Sequence, residues 1–492
     1  MVNHDAIQNI RRRSLLLVIC LTIFASPTAG QADLSKINKQ DLRKFVKILT
    51  SDSMQGRGTG TGGERRAQRF IAGRFNQIGL QPFDQNNYSQ PFELIQTYWG
   101  QVYLKTPKKT LLNFENMVFQ GNEIQNDEIE TEVIFGGSGT DTELNQIGVT
   151  GRWVLVFVKN LRAPDEVTRR LGTRKAAGLI LANPDNEKQF ALLKNTFKEH
   201  ALQKRLSFPA TDKMRRAPWD TLQLINRISI PNSELKNICG LPPRALAKLI
   251  REQRITEVPI TKIRVKFERV QRKIETANII GSVKGKTNKT IIVSAHYDHL
   301  GTTGNMYFPG ADDNASGTAA LLELAEAFSR SSTSNYNIIF LSTSGEEAGL
   351  LGSSYFVNRP NFDPKSILCN LNVDMIGRSD EQHTTNQYLY CIGTDQSNEL
   401  ADLVAKADGL FDACGFDYSL NNSHDPTGLF TRSDNYNFYK KGILAIQFFA
   451  GLHADYHQTT DTMEKIDFSN LENRVRLIGM VIDLLQREGL KN

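Results

Sequence analysis

Residues 291–300, IIVSAHYDHL, run from a β-branched apolar segment straight into two histidines around an aspartate. A short apolar run bounded by polar residues reads as a buried strand, which puts His296, Asp298 and His299 at a strand end. A histidine at such a place is as often structural as it is a ligand. Its reading therefore depends on the ends of the neighbouring strands. From about residue 275 the pattern alternates. ANIIGSV, TIIVSAH, NIIFLST, ILCNLNVDM, YLYCIG and ILAIQFFA read as strands; GTAALLELAEAFSRS, AGLLGSSYFVNR, residues 398–409 and an amphipathic stretch over about 468–487 read as helices. Strands alternating with helices predict the α/β class: a mixed, mostly parallel sheet with helices on both faces.

In such sheets functional groups collect at the carboxyl ends of the strands. TIIVSAH ends at His296 and Asp298, and PGADDNASG places Asp312 and Asp313 just before a helix. NIIFLST runs into SGEEAG with Glu346 and Glu347, and ILCNLNVDM ends at Asp374. ILAIQFFA leads to GLHADYHQTTDT, with His453, Asp455, Tyr456, His457 and Asp461. Singly, each has an ordinary explanation: a Glu pair is a solvated turn, and an Asp ahead of a helix is an N-cap. Jointly, that many acids along one sheet edge repel one another unless a cation sits among them. Mixed His and carboxylate donors without a thiolate suit zinc in an open, catalytic site.

Taken in order, HYDHLG, GADDNASG, SGEEAGLLGS, NVDMIGR, RSDNYNF and HADYHQTTDTMEKID resemble the successive motifs of the co-catalytic two-zinc exopeptidases that include the secreted bacterial leucine-type aminopeptidases. The likeness covers about residues 275–490. SDSMQGRGTGTGGERRAQRFIAGRFNQIGL is similar to the family's N-terminal piece. The resemblance implies the zinc exopeptidase, phosphorylase/hydrolase-like fold, two zinc ions per chain and a peptide substrate. It implies His296 and Asp374 on one zinc, Glu347 and His457 on the other, and Asp313 bridging the two. It implies Glu346 as general base, Asp298 in support of the ligands, Tyr456 as donor to the oxyanion, and a cis peptide at Asp313–Asn314. The residue types suit these roles. Paired cations activate water and polarise a carbonyl. Adjacent Glu346 and Glu347 can divide proton transfer from metal binding, because a tight turn aims neighbours differently. A phenol can donate to a tetrahedral oxyanion.

Continued strand alternation would put His296 and Asp298 on one side and His299 with Tyr297 on the other. Asp298 is then expected to accept the second ring N–H of His296, and His299 to be dispensable for zinc. Alternatives on the same fold are another exopeptidase or a glutaminyl cyclase, against which His296 argues. A receptor-like, non-catalytic binding module would have lost ligands or the base, and none of these positions is missing.

Residues 96–265 change character: short runs such as GRWVLVFV (151–158) and GLILAN (178–183) alternate with helical and basic stretches, with no clustered His, Asp or Glu. They are expected to form a smaller β-rich inserted domain, and GRWVLVFV…KAAGLILAN is similar to the signature of a protease-associated domain. The expected organisation is a signal peptide (1–32), an N-terminal part of the peptidase domain (33–95), the insert (96–265) and the zinc peptidase domain (266–492). Ahead of the insert, DLSKINKQDLRKFVKILTS and GGERRAQRFIAGRFNQIGL read as helices. The glycine-rich SDSMQGRGTGTGG between them lacks the GKS or GKT ending of a phosphate cradle and is expected to be a flexible or substrate-bordering loop.

The chain opens with Arg11, Arg12 and Arg13, a short apolar run (residues 15–25) and small residues, the pattern of an export signal. The run is too short to span a bilayer comfortably, so a periplasmic or extracellular location without an integral membrane span is expected. Removing residues 1–32, with three arginines and one aspartate, lowers the formal charge from +6 to +4. That is modest for 492 residues. Basic clusters such as Lys213, Arg215 and Arg216 read as solvated faces, and no nucleic-acid partner is expected. Cys239, Cys369, Cys391 and Cys414 are scattered without a CxxC pair, which argues against a cysteine zinc site.

Overall fold

The computed structural model describes residues 32–84, 87–121, 124–202, 205–209, 225–329, 334–421 and 427–490. The export-type segment and the Lys213–Arg216 cluster lie outside the described residues. The chain forms two compact units, Met1–Gln90 with Ala277–Asn492, and Pro91–Thr276.

In the first unit, α1 (Lys39–Leu49) is started by the Asn38 side chain, which accepts the Asp41 N–H at 3.0 Å. It buries Leu42, Phe45, Val46 and Leu49, one helical stripe. Thr61 caps α2 (Gly62–Gln77) in the same way. The sheet comprises the C-terminal part of β1 (Thr261–Val283), β2 (Thr290–His296), β3 (Asn337–Thr343), β4 (Ile367–Val373), β5 (Tyr388–Ile392), β6 (Gly415–Asp417) and β7 (Leu444–Phe449), in spatial order β6–β5–β7–β4–β2–β3–β1. The pairs β2/β3, β2/β4, β4/β7 and β5/β6 are parallel; β1/β3 and β5/β7 are antiparallel. Alternation sorts the core. Ile291, Val293 and Ala295 of β2 enter the cluster that also holds α1, α3 (Gly317–Ser329) and α7 (Phe468–Glu488). Ile292 faces the other way, with α4 (Leu351–Val357) and Phe438 of α6 (Asn435–Tyr439). α5 (Asn398–Asp408) packs with α7. The sheet is therefore covered on both faces, as its nearly continuous apolar strands require. α3, whose GTAALLELAEAF segment is apolar almost all round, is buried on nearly every side.

The second unit has four strands in parallel succession, Gln125–Phe135, Trp153–Phe157, Gly178–Ala182 and Arg227–Ser229, with Val118–Gln120 antiparallel at the edge. Helix Asp165–Thr173 lies between the second and third strands in sequence. A Cβ at Gly178 would come within 2.5 Å of the buried Trp153 indole, so this strand start needs glycine. Helices Lys188–Leu202 and Pro243–Arg251 accompany these strands, and with most of strand Ser89–Lys105 and the first part of β1 the unit is β-rich, as expected. Among the described residues the four cysteines are free and buried, and no helix is long and apolar enough to cross a membrane.

Candidate metal and catalytic site

Parallel β2, β3, β4 and β7 end side by side, His296 opposite Thr343 and Val373 opposite Phe448. The residues just past those ends are therefore forced into one place. Asp374 follows β4 directly, and its N–H donates to Phe448 O at 3.0 Å. Glu346 and Glu347 follow β3, and the segment holding Tyr456 and His457 follows β7. Between β2 and α3, the Asp313–Asn314 peptide is cis, as the family resemblance implies. Asn314 ties this turn to β4: its Nδ2 donates to Val373 O (3.0 Å), and its Oδ1 accepts from Gly317 (2.9 Å) and Met375 (3.1 Å).

Two donor clusters share Asp313. His296 Nε2 lies 3.2 Å from Asp374 Oδ1 and 3.5 Å from Asp313 Oδ1. His457 Nε2 lies 3.1 Å from Asp313 Oδ2 and 3.0 Å from Glu347 Oε2. The two carboxylate oxygens of Asp313 thus face opposite clusters, as a bridging ligand requires. These separations match the edge of a tetrahedron with metal–ligand bonds of about 2.0 Å, roughly 3.3 Å. The donors are imidazole and carboxylate without thiolate, with His299 as well as His457 beside Asp313 and Glu347, the set that suits zinc.

The five residues expected as ligands therefore come together, and His299 joins them. The expectation that His299 points away is corrected. β2 ends at His296, so strand alternation does not extend to residue 299. The buried His299 ring places Nδ1 2.7 Å from Glu347 Oε1 and 3.7 Å from Asp313 Oδ2. His299 thus holds the oxygen of Glu347 that His457 does not, at hydrogen-bond distance.

The expected Asp298–His296 pairing is also corrected. His296 Nδ1 faces the Asp298 main-chain carbonyl at 3.2 Å, with the carboxylate 3.9 Å away. Asp298 instead accepts the Glu346 N–H at 3.1 Å and the Thr59 hydroxyl at 2.9 Å. Its carboxylate pins the turn that aims Glu346. Thr59 belongs to the glycine-rich stretch, whose Met54, Gly56, Arg57 and Gly58 are buried beneath the HYDH turn. Arg57, fully buried, donates to the carbonyls of Tyr297 (2.7 Å), Leu49 (2.6 Å), Pro309 (2.8 Å) and Gly310 (2.8 Å). Gly56 has φ +63°, and a Cβ there would meet Phe308 O at 2.4 Å.

Other acids in these motifs are structural. Asp461 accepts the main-chain N–H groups of Asp312 and Asp313, each at 3.1 Å. Asp312 accepts from Gly377 and faces His453 Nε2 at 3.2 Å. Asp455 pairs with Arg378 at 2.7 Å and Lys465 at 2.6 Å. Tyr456 stacks on His457, ring centroids 3.8 Å apart, and its hydroxyl accepts from Arg432 at 3.2 Å. Sequence reasoning gave no role to Asp434 in RSDNYNF. It is fully buried, accepts from Thr343, and adds negative charge near Glu346.

Electrostatics separates the adjacent glutamates. Burial, with Asp374 and Glu347 nearby, pushes the Glu346 carboxyl well up against the opposing pull of His296. Burial would raise Glu347 too, but hydrogen bonds from His299 and His457 outweigh it and hold Glu347 well below the ordinary range. Burial disfavours a charged His457, yet Asp313 and Glu347 lift it to about 10. Four carboxylates packed around one point thus attract whatever positive charge is available, and the residues present fit a pair of divalent cations.

Residues 278–482 match the model of peptidase family M28. Over 216 residues the chain is 33% identical to aminopeptidase YwaD of Bacillus subtilis (strain 168), covering 42% of this chain and 44% of that protein. Over 236 residues it is 27% identical to a probable leucine aminopeptidase of Trichophyton verrucosum, covering 44% and 60%. The matches thus span between 44% and 60% of the length of these curated relatives. Among solved structures, the aminopeptidase from Aneurinibacillus sp. strain AM-1 aligns with TM-score 0.53 at 21% identity, over 92% of this chain and 95% of that one. BSAP, a zinc aminopeptidase from Bacillus subtilis, aligns with TM-score 0.50 at 19% identity, over 91% and 94%. Identities this low speak to the fold alone.

Proposed function

We propose, from the premise that residues 278–482 belong to peptidase family M28, that the protein is a zinc-dependent aminopeptidase that removes N-terminal residues from peptides. One observation carries this reading: Asp313 presents one oxygen to His296 and the other to His457, joining two donor sets of zinc-like spacing beside an uncommitted Glu346. His296 and Asp374 would hold one zinc, Glu347 and His457 the other, with Asp313 between them. Bound zinc supplies Lewis acidity, which acidifies water and polarises the scissile carbonyl.

The chain's own residues do the rest. Glu346, its main chain held by Asp298, takes the proton of the attacking water and passes it to the leaving amine. Its raised affinity for a proton suits a group that must carry one between the two steps. Tyr456 donates its hydroxyl to the developing oxyanion, with Arg432 beside the phenol oxygen. His299 orients Glu347 through a carboxylate hydrogen bond.

Glu346→Gln should retain two zinc ions by elemental analysis and lower kcat on aminoacyl chromogenic substrates by about 10²–10⁴. Full activity in this variant would reassign the base, and hydrolysis that survives exhaustive chelation of the wild type would remove the metal reading altogether.

The arginine triplet and the apolar run at residues 15–25 support export to the periplasm or beyond; an N-terminus starting near residue 31 or 33 in protein recovered from the exporting cell would bear on this directly. The parallel strands Trp153–Phe157 and Gly178–Ala182, with helix Asp165–Thr173 between them in sequence, support reading Pro91–Thr276 as the protease-associated-like insertion.

A further inference from the structure

Gln447 lies in β7, and its side chain lines the same cavity as His296, Asp374 and Tyr456. Only 3% of the residue is exposed, and its Oε1 has no hydrogen-bond partner. The buried carbonyl end of Gln447 thus goes unpaired. A buried acceptor left in that state is destabilising, and an apolar residue here would avoid the cost. Besides the metal-site residues and Arg432, the cavity lining around it is apolar. Phe449, two residues on and on the same side of the strand, lines the cavity too, as do Met375, Leu429 and Leu452. One wall beside the reacting centre thus combines apolar side chains with an unpaired amide oxygen, with Arg432 at the same cavity. That is the arrangement of a pocket that takes a side chain with an apolar stem and a hydrogen-bonding end.

Resting on the aminopeptidase reading above, we infer that Gln447 selects the N-terminal side chain of the substrate, favouring the neutral carboxamides asparagine and glutamine over the aliphatic side chains of the same shape, leucine and methionine. The incoming carboxamide pairs with the Gln447 amide, each donating to or accepting from the other. An aliphatic isostere fills the pocket but leaves Gln447 unpaired. Discrimination of this kind is larger than apolar packing alone provides.

The test uses the zinc-loaded full chain and aminoacyl-coumarin amides in two shape-matched pairs, asparagine against leucine and glutamine against methionine. In Gln447→Met, a near-isosteric change, the asparagine/leucine and glutamine/methionine ratios of kcat/KM should each fall by about tenfold relative to wild type. In Gln447→Glu, which keeps size and polarity, the lysine/methionine ratio should rise by a similar factor. Gln447→Glu decides the matter if Gln447→Met does not fold, as judged by circular dichroism. Unchanged ratios in a folded, active variant would overturn the inference and leave the aminopeptidase reading standing. Absence of hydrolysis of every substrate by zinc-loaded wild type would overturn both.

Discussion

At the scale of single residues, His299 and His457 approach the same carboxylate from different sides, and their distances assign them different work. His457 Nε2 sits 3.0–3.1 Å from one oxygen each of Glu347 and Asp313, a ligand–ligand spacing, whereas His299 makes a 2.7 Å contact with the other Glu347 oxygen. A ligand lost removes a metal; an orienting partner lost weakens its hold, typically by 10–100-fold. His457→Ala should therefore leave about one zinc per chain after dialysis. His299→Gln, which can still donate to Glu347, should keep two, the second bound about tenfold more weakly or less affected. Zinc content by elemental analysis and competition with a chromogenic chelator separate these outcomes; the reverse order would exchange the two roles. Strand alternation ends with β2 at His296 and therefore does not report the side on which His299 lies.

At the scale of elements, the site stands on a joint between the N-terminal segment and the β2 and α3 termini, and Arg57 is its pin. One guanidinium serves carbonyls from α1's end, the HYDH turn and the Pro309–Gly310 turn. Each carbonyl left unpaired by truncation costs about 1–3 kcal/mol. Arg57→Met should lower the urea unfolding free energy by about 3–5 kcal/mol. It should lower zinc affinity as well, because Asp298 and Thr59 belong to the same joint. A loss below about 1 kcal/mol would show that the joint is not what holds the turn. The sequence signalled the glycines of this stretch but not their purpose. Close backbone approach at Gly56 and an open loop call for the same residue.

At the scale of the whole molecule, stability should carry the imprint of a buried acid far from the site. Glu323 on α3 is 3% exposed, accepts the Asn38 N–H at 3.1 Å, and has a second oxygen without a partner. Burial raises its carboxyl from 4.5 to about 7, against the smaller opposing effect of that hydrogen bond. The sign follows from proton counting. Below about pH 4.5 both folded and unfolded chains hold the proton and stability is unaffected. Between about 4.5 and 7 only the folded chain holds it, so stability falls as pH rises. Above about 7 the full penalty remains, about 1–3 kcal/mol. Glu323→Gln keeps the acceptor for Asn38 and removes the titration, so its advantage in urea unfolding should grow from pH 5 to pH 8. A pH-independent difference would show that the carboxyl is not perturbed by burial.

The sequence by itself determined the class of the fold, the order of its strands along the chain and the ligand-type residues at their ends. Apolar β-branched runs between amphipathic segments leave parallel pairing as the economical way to bury them. Parallel pairing then brings His296, Asp313, Glu347, Asp374 and His457 to one edge. The tertiary structure alone decided how those residues divide their contacts. Asp298 turned to the Glu346 main chain, His299 turned inward to Glu347, and Gln447, at the cavity lining, was left with an unpaired oxygen. These facts depend on turns just beyond the strands and on neighbours hundreds of residues away, such as Thr59 against Asp298. A one-dimensional period reports which side a residue faces within a strand and carries no information past its last hydrogen bond.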